Sequence, residues 1–459
     1  MAASVSKRLD RFLQRSLWLT TAAFVGTASP ALAQVVPLYG YGEVLSPTWS
    51  AQRVFERTPL PQLDDPATAE RPEPEDTPVR TRQHPGYEPV GIRSGPWMIN
   101  PALTSGLLYD SNVFSSNTNR RSDIAALVEP SLRVRSMWDR HGLDLKLGVQ
   151  STLYKENSSL NQTNYGVRGS GWFDVARDMM VLTSFQASHL NEGVGTLAAP
   201  ANAVKPTPYD LLSGDVTVRK QFNRWTAALG VGVDSYDFGS TRALDGSIIN
   251  QDARDGQVYA LHGRTDYAFS PGLGWYASAE YNIRELRGTP AQSLNSQGVR
   301  ALTGLNISLT RLVTGEFGVG YVQQRFEDRA IGTIEGPAYS AMLTWRPTRL
   351  IDVSAKAEQI ITQTSDTSVT GVLANNFQVG VDYELLRNIV VSVAGSIEKD
   401  KFHGQPRNDQ VNTVDARIKY LPNRFGSISL FHRFTERDSN IPTYSYQKHL
   451  VGFNATAQF

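Results

Sequence analysis

The stretch HLVGFNATAQF, residues 449–459, sets an apolar row against a largely polar one. Val451, Phe453, Ala455, Ala457 and Phe459 alternate with Leu450, Asn454, Thr456 and Gln458. A period of two is that of a β-strand with one greasy face. Terminal residues of most domains fray and are polar. A last strand that stays apolar to its final side chain therefore predicts a fold in which that strand must be held to its end.

The opposite end reads differently. Lys7, Arg8, Arg11 and Arg15 precede a short apolar run from Leu17 to Val25, and Ala31-Leu32-Ala33 follows as a small-x-small site. This is the pattern of a secretory signal peptide over residues 1–33, and its apolar core is too short to span a bilayer as a helix. The sequence holds no cysteine, which removes disulfides, thiolate metal sites and a lipid-modified cysteine from consideration. A formal charge of +1 lacks the phosphate-neutralising excess of a nucleic-acid binder. Beyond residue 34 no run of eighteen apolar residues occurs, so no further membrane helix is predicted.

Residues 34–96 form a second region. Eleven of the 24 prolines lie within 35–96, among charges of both signs, as in TPLPQLDDPATAERPEPEDTPVR. Such a composition buries little and breaks regular structure, so a largely disordered periplasmic linker is predicted. A plug or a partner-binding arm is the alternative, because segments of this kind order on binding.

From Trp97 the texture becomes regular. Alternating stretches are separated by eight short turns, at 138–142, 176–179, 222–225, 270–274, 310–315, 346–349, 386–388 and 421–424. Nine longer polar connections intervene, at 110–123, 156–164, 190–208, 238–255, 287–298, 327–337, 364–370, 399–410 and 436–445. Together they join eighteen strands with both ends on the short-turn side. A membrane β-barrel has short periplasmic turns and long outer loops. The prediction for 97–459 is thus an all-β, transmembrane, antiparallel up-and-down barrel of about eighteen strands. It would sit in the outer membrane of a Gram-negative bacterium, in contact with lipid, with both termini periplasmic.

A large soluble sandwich or propeller would alternate as well. Aromatic placement favours the barrel. Trp97, Trp138, Trp172, Trp225, Trp275 and Trp345 lie by the short turns or at the start of the first strand. Tyr109, Tyr154, Tyr165, Tyr209, Tyr236, Tyr281, Tyr321 and Tyr339 lie towards the long connections. Two such belts are the interfacial girdles of a membrane protein.

The same alternation names the inner wall. Its bases are Arg133, Arg135, Lys146, Arg219, Arg264, Arg284, Lys356, Arg417, Lys419 and Arg433. Its acids are Glu129, Asp144, Asp215, Asp266, Glu280, Asp352, Glu358, Asp382, Glu384 and Asp415. Neither sign dominates, which predicts weak ion selectivity, and eighteen strands are enough for an aqueous channel.

Two resemblances add to this reading. Phe453, Ala455, Ala457 and Phe459 resemble the C-terminal signature of bacterial outer-membrane proteins, which implies recognition by the barrel-assembly machinery. The segment PWMINPALTSGLLYDSNVFSSNTNRRSDIAALVEPSLRVRSMWDRHGLDLKLGVQ at 96–150, with Tyr-Asp-x-Asn-Val-Phe at 109–114, resembles the outer-membrane β-barrel porins that accompany exopolysaccharide production in Gram-negative bacteria. That resemblance implies a channel serving as exit conduit for a secreted polysaccharide, with a periplasmic polysaccharide export protein as partner. Asp110 and Asn112 themselves read as loop-shaping residues.

An enzymatic barrel is not predicted. A serine nucleophile needs a base within hydrogen-bond reach. The residues two places beyond His141, His189, His262, His403, His432 and His449 are Leu143, Asn191, Arg264, Gln405, Phe434 and Val451. The carboxylates Asp382 and Glu384, two apart on one face, could do acid–base work, but a solvated wall is the better explanation of them. No catalytic, cofactor or metal-binding set is predicted. The function classes are therefore a conduit for polysaccharide first, then a general diffusion porin for small hydrophilic solutes, with a non-conducting adhesion or anchor barrel and a barrel enzyme acting on lipid or surface polymer as the further alternatives.

Overall fold

The computed structural model describes residues 78–459, except 81, 83, 85, 198, 201–202, 290–292, 311, 363–368 and 370. Eighteen strands of 12 to 16 residues run from Trp97–Asp110 to Tyr446–Gln458. Each pairs antiparallel with the next. The ring closes where Ala102–Asp110 of the first strand meets Leu450–Gln458 of the last. Closure leaves no open edge, and an open edge in hydrocarbon would strand backbone groups at several kcal/mol each. All eight short turns and nine long connections fall where the alternation places them. In the turn between Phe222 and Trp225, Asn223 takes φ +57°, a left-handed conformation that asparagine tolerates well.

The seam explains the terminal aromatic. The Phe459 amide donates to the Pro101 carbonyl at 3.1 Å, and its ring stacks on Phe425 at 6.1 Å. The last strand runs out opposite Ala102, which leaves the start of the first strand without a neighbour on that side. There the short strand Ile92–Ser94 folds back and pairs with Trp97–Ile99. The exposed edge is thereby covered. We expect Phe459→Ala to lower the yield of assembled barrel, because it removes the ring packed on Phe425 at the seam. Heat-modifiable mobility of the outer-membrane fraction on unboiled gels reads this out; a normal yield of the folded form would contradict it.

One face of each strand points outward. Val414, Ile418, Tyr420, Phe377, Val379, Val381 and Tyr383 are all exposed large apolar side chains, as a lipid-facing surface requires. The aromatic belts need correction. Trp97, Trp225, Trp275 and Trp345 share the outward parity, with Trp138 exposed in its turn against Trp97. Trp172 does not belong with them. It stands between the outward Phe173 and the Gly142 of the neighbouring strand, where a Cβ on Gly142 would overlap its ring. Tyr154, Tyr209 and Tyr236 also face inward; Tyr209 is 2% exposed and stacks on Phe238 at 5.0 Å. Nearness to a turn sets the depth of a side chain, whereas strand parity sets its side.

The predicted signal peptide, 1–33, and the predicted linker as far as residue 77 lie outside the described residues. The later part of the 34–96 region departs from the expected free linker. Arg80, Arg82 and His84 lie against the inner wall of the barrel at its short-turn mouth.

Candidate channel interior

All nineteen wall charges other than Glu129 stand on the face opposite the exposed apolar rows, and Glu129 shares it. Inside a closed barrel that face meets itself, so the charges are balanced locally. Arg133 binds Asp144 through Nε at 3.0 Å, and Arg433 reaches Asp415 at 2.7 Å. Lys356 pairs with Glu358 at 2.6 Å on one strand. Asp215 accepts from the Thr217 hydroxyl at 3.0 Å. The Gln150 amide donates to Glu129 at 3.4 Å. Arg417 lies 6.0 Å from the Phe431 ring, and Lys419 is exposed towards the short-turn mouth. Arg135, Lys146, Arg219, Glu280 and Arg284 occupy the same face, Arg284 almost wholly enclosed at 1% exposure.

The most connected cluster joins strands that the sequence does not link. Arg264 donates to Asp266 at 2.8 Å and to Glu316 at 2.7 Å, three strands away. The Asn306 amide donates to Asp266 at 3.0 Å, and the guanidinium lies 4.2 Å from the Tyr276 ring. Tyr276 needs room, and Gly318 provides it: a Cβ there would come within 2.0 Å of the phenol oxygen. Above it an apolar group of Val258, Tyr276, Leu302, Val322, Phe326, Ile334 and Ala338 lines part of the interior. Sequence reasoning missed Glu316, Asn306 and Tyr276. Period-two reading of 313–326 alone would have put Glu316 inside with Gln324, but not opposite Arg264.

The long-loop half is crossed by chain. After the strand Met179–Glu192, the connection turns into the barrel. The Val194 carbonyl accepts from Ser115, at 3.3 Å, and the Gly195 carbonyl from the Tyr446 hydroxyl, at 3.1 Å. Leu197 packs on Val369, Val372 and Phe402. These contacts come from strands on widely separated parts of the ring, so the loop narrows the passage. Beside it lies a cavity of about 380 Å³ bordered by Gln150, Tyr154, Leu197, Glu398, Arg433, Arg437 and Lys448. Lys448 is held by Asp110 at 2.7 Å, while Asp110 also accepts from the Asn112 amide at 2.9 Å. That last bond is the loop-shaping role read from Asp110 and Asn112. Arg407 binds Asp409 and is stacked between Phe402 at 4.0 Å and Tyr444 at 3.3 Å.

Among the described residues, no three His, Cys, Asp or Glu side chains are grouped to hold a metal ion. His432 and His449 do meet, ring on ring at 5.5 Å, but on the outward face beside Phe434. Ser111 meets His449 only at the backbone, its hydroxyl accepting from the His449 amide at 2.8 Å, and inside the barrel the Thr217 hydroxyl lies 3.0 Å from His262 Nε2, with Asp215 3.8 Å from the same ring nitrogen.

Comparison with known proteins agrees with a porin-like barrel. No curated protein matches the chain. Among solved structures it is similar to OpdL of Pseudomonas aeruginosa, with 13% identity, 79% of this chain and 98% of that chain covered, and a TM-score of 0.41. OpdK of the same organism, solved with vanillate, matches at 10% identity over 79% and 99% of the two chains, with a TM-score of 0.42. A mutant of its ferric enterobactin receptor PfeA matches at 7% identity over 79% and 80%, with a TM-score of 0.44. At these scores none of the three informs what passes through this barrel. The family model described as "Putative beta-barrel porin 2" matches residues 84–459, nearly the whole described chain, and the protein belongs to that outer-membrane β-barrel family.

Proposed function

We propose that this barrel is a passive outer-membrane channel for hydrophilic solutes, with its short turns and both termini in the periplasm. The observation that supports it is the inner wall: charges of both signs, mostly paired with one another, in a barrel of eighteen strands. Paired charges keep water and polar solutes favourable without a strong field of either sign. The inward loop at 193–197 would limit the size of what passes. Reconstituted protein should give stepwise currents with cation and anion permeabilities within a few-fold of each other, and liposomes should swell with small sugars. Strong selectivity for one sign, or no conductance from a folded barrel, would refute it.

Exit of a secreted exopolysaccharide is the second reading. It is favoured by the resemblance of segment 96–150 and by a proline-rich segment ending at the short-turn mouth, where a periplasmic export protein would dock. Deleting the gene separates the two readings. Loss of surface polymer with precursors retained in the envelope supports export; unchanged polymer with reduced solute uptake supports the diffusion channel. Insertion by the barrel-assembly machinery is part of both.

A further inference from the structure

The short-turn mouth carries an arrangement that a simple wall does not require. Asp352 and Asp382 are directly opposite one another on adjacent strands, with Glu384 two residues further on. Like charges directly opposite are destabilising. All three point into the barrel; Asp352 and Glu384 are buried and Asp382 is half-buried. Arg346 meets Asp352 at 3.2 Å. The Ser392 hydroxyl donates to Asp382, and further compensation comes from the chain that precedes the first strand. The Val79 amide donates to Asp352, with Val79 itself wholly buried. Arg80 approaches Asp382 at 3.7 Å, Arg82 reaches Glu384 at 3.3 Å, and His84 lies 3.9 Å from Glu384. Arg82 also donates to the Arg349 carbonyl in the turn itself.

Position makes this more than a surface contact. The first strand begins at Trp97, and going round the ring the strand Gly371–Leu386 is its fifth neighbour. At about 4.8 Å between strands, roughly 24 Å of wall separates the two. The segment therefore leaves the seam and reaches wall a little over a quarter of the way round the ring, so chain lies over that sector of the opening.

We propose that Val79, Arg80, Arg82 and His84 hold the chain before the first strand as a tethered gate, seated in an acidic cradle of Asp352, Asp382 and Glu384, that narrows the short-turn mouth. This rests on the channel reading above. A gate held by a few ion pairs and one backbone hydrogen bond is removable, whereas a plug with its own core would not be. Each ion pair is modest because its distance, 3.3 to 3.9 Å, exceeds that of a close charge-assisted hydrogen bond.

The test compares the mature protein with a variant lacking residues 78–90 and with R80Q/R82Q, all reconstituted in planar bilayers. The deletion should raise single-channel conductance at least two-fold. R80Q/R82Q should flicker between the wild-type and deletion levels. A synthetic peptide covering 78–90, added to the deletion variant, should restore the lower conductance from the short-turn side and have no effect from the other. Folding is checked for each variant by heat-modifiable mobility. A folded deletion variant conducting at the wild-type level would overturn the gate and leave the channel intact. A peptide that blocks from neither side would also count against it, and absence of current from both proteins would remove gate and channel together.

Discussion

Replacing Arg254 with alanine should destabilise the barrel by about 3–5 kcal/mol, the largest single-site effect expected here. Arg254 and Glu192 form a two-pronged pair, at 2.6 and 2.8 Å, with side chains only 8% and 3% exposed. The guanidinium also lies 3.8 Å from the Phe238 ring. Removing the cation leaves Glu192 enclosed among Leu190, Tyr209 and Phe238 with its charge uncompensated. The pair itself need not be net stabilising, because desolvating two ions offsets much of their attraction. The double variant R254M/E192L should accordingly recover most of the loss. Urea unfolding from lipid vesicles, followed by tryptophan fluorescence, measures all three proteins. A loss below about 1 kcal/mol for R254A would mean that water reaches the carboxylate.

Replacing Ile418 with arginine should cost about 2–4 kcal/mol, whereas Lys419→Ala should be close to neutral. Ile418 is 48% exposed and flanked on the outward face by Val391 and Leu430 of the adjoining strands. The outward apolar run of its strand extends from Val414 to Tyr420, and Ile418 lies within it, towards the short-turn end. A guanidinium there must leave water for hydrocarbon or snorkel past several residues. Lys419 is one residue away, on the inner face, and is exposed to the aqueous mouth. The same unfolding experiment compares the two. Equal effects would mean that the faces are inverted. The contrast is informative because the two side chains differ in environment far more than in position.

Both predictions rest on features of different legibility. That Ile418 faces out and Lys419 in could be read from 414–420 alone, since a two-residue period is a property of one strand. The eighteen strands followed for the same reason: turns and apolar alternation are local signals, and each short turn lies within a few residues of where composition puts it. Local reading also placed the wall charges on one face, because parity does not depend on which strand is the neighbour.

Partnership was another matter. Arg254 lies in a connection, where no period exists to orient it, and Glu192 is 62 residues away. Glu316 is 52 residues from Arg264, and only the register of three successive hairpins brings them together. Trp172 illustrates the limit within a strand: its depth was legible, but the glycine at 142 that admits its ring belongs to the neighbour. The inward course of 193–197 and the seat of Val79, Arg80 and Arg82 depend on acceptors that closure of the ring places opposite them. The sequence by itself determined the strands, their number and the side each residue takes, since those follow from steric alternation along one chain. The tertiary structure alone decided which charges neutralise one another and where chain lies over the opening, because both depend on distances set by joining the first strand to the last.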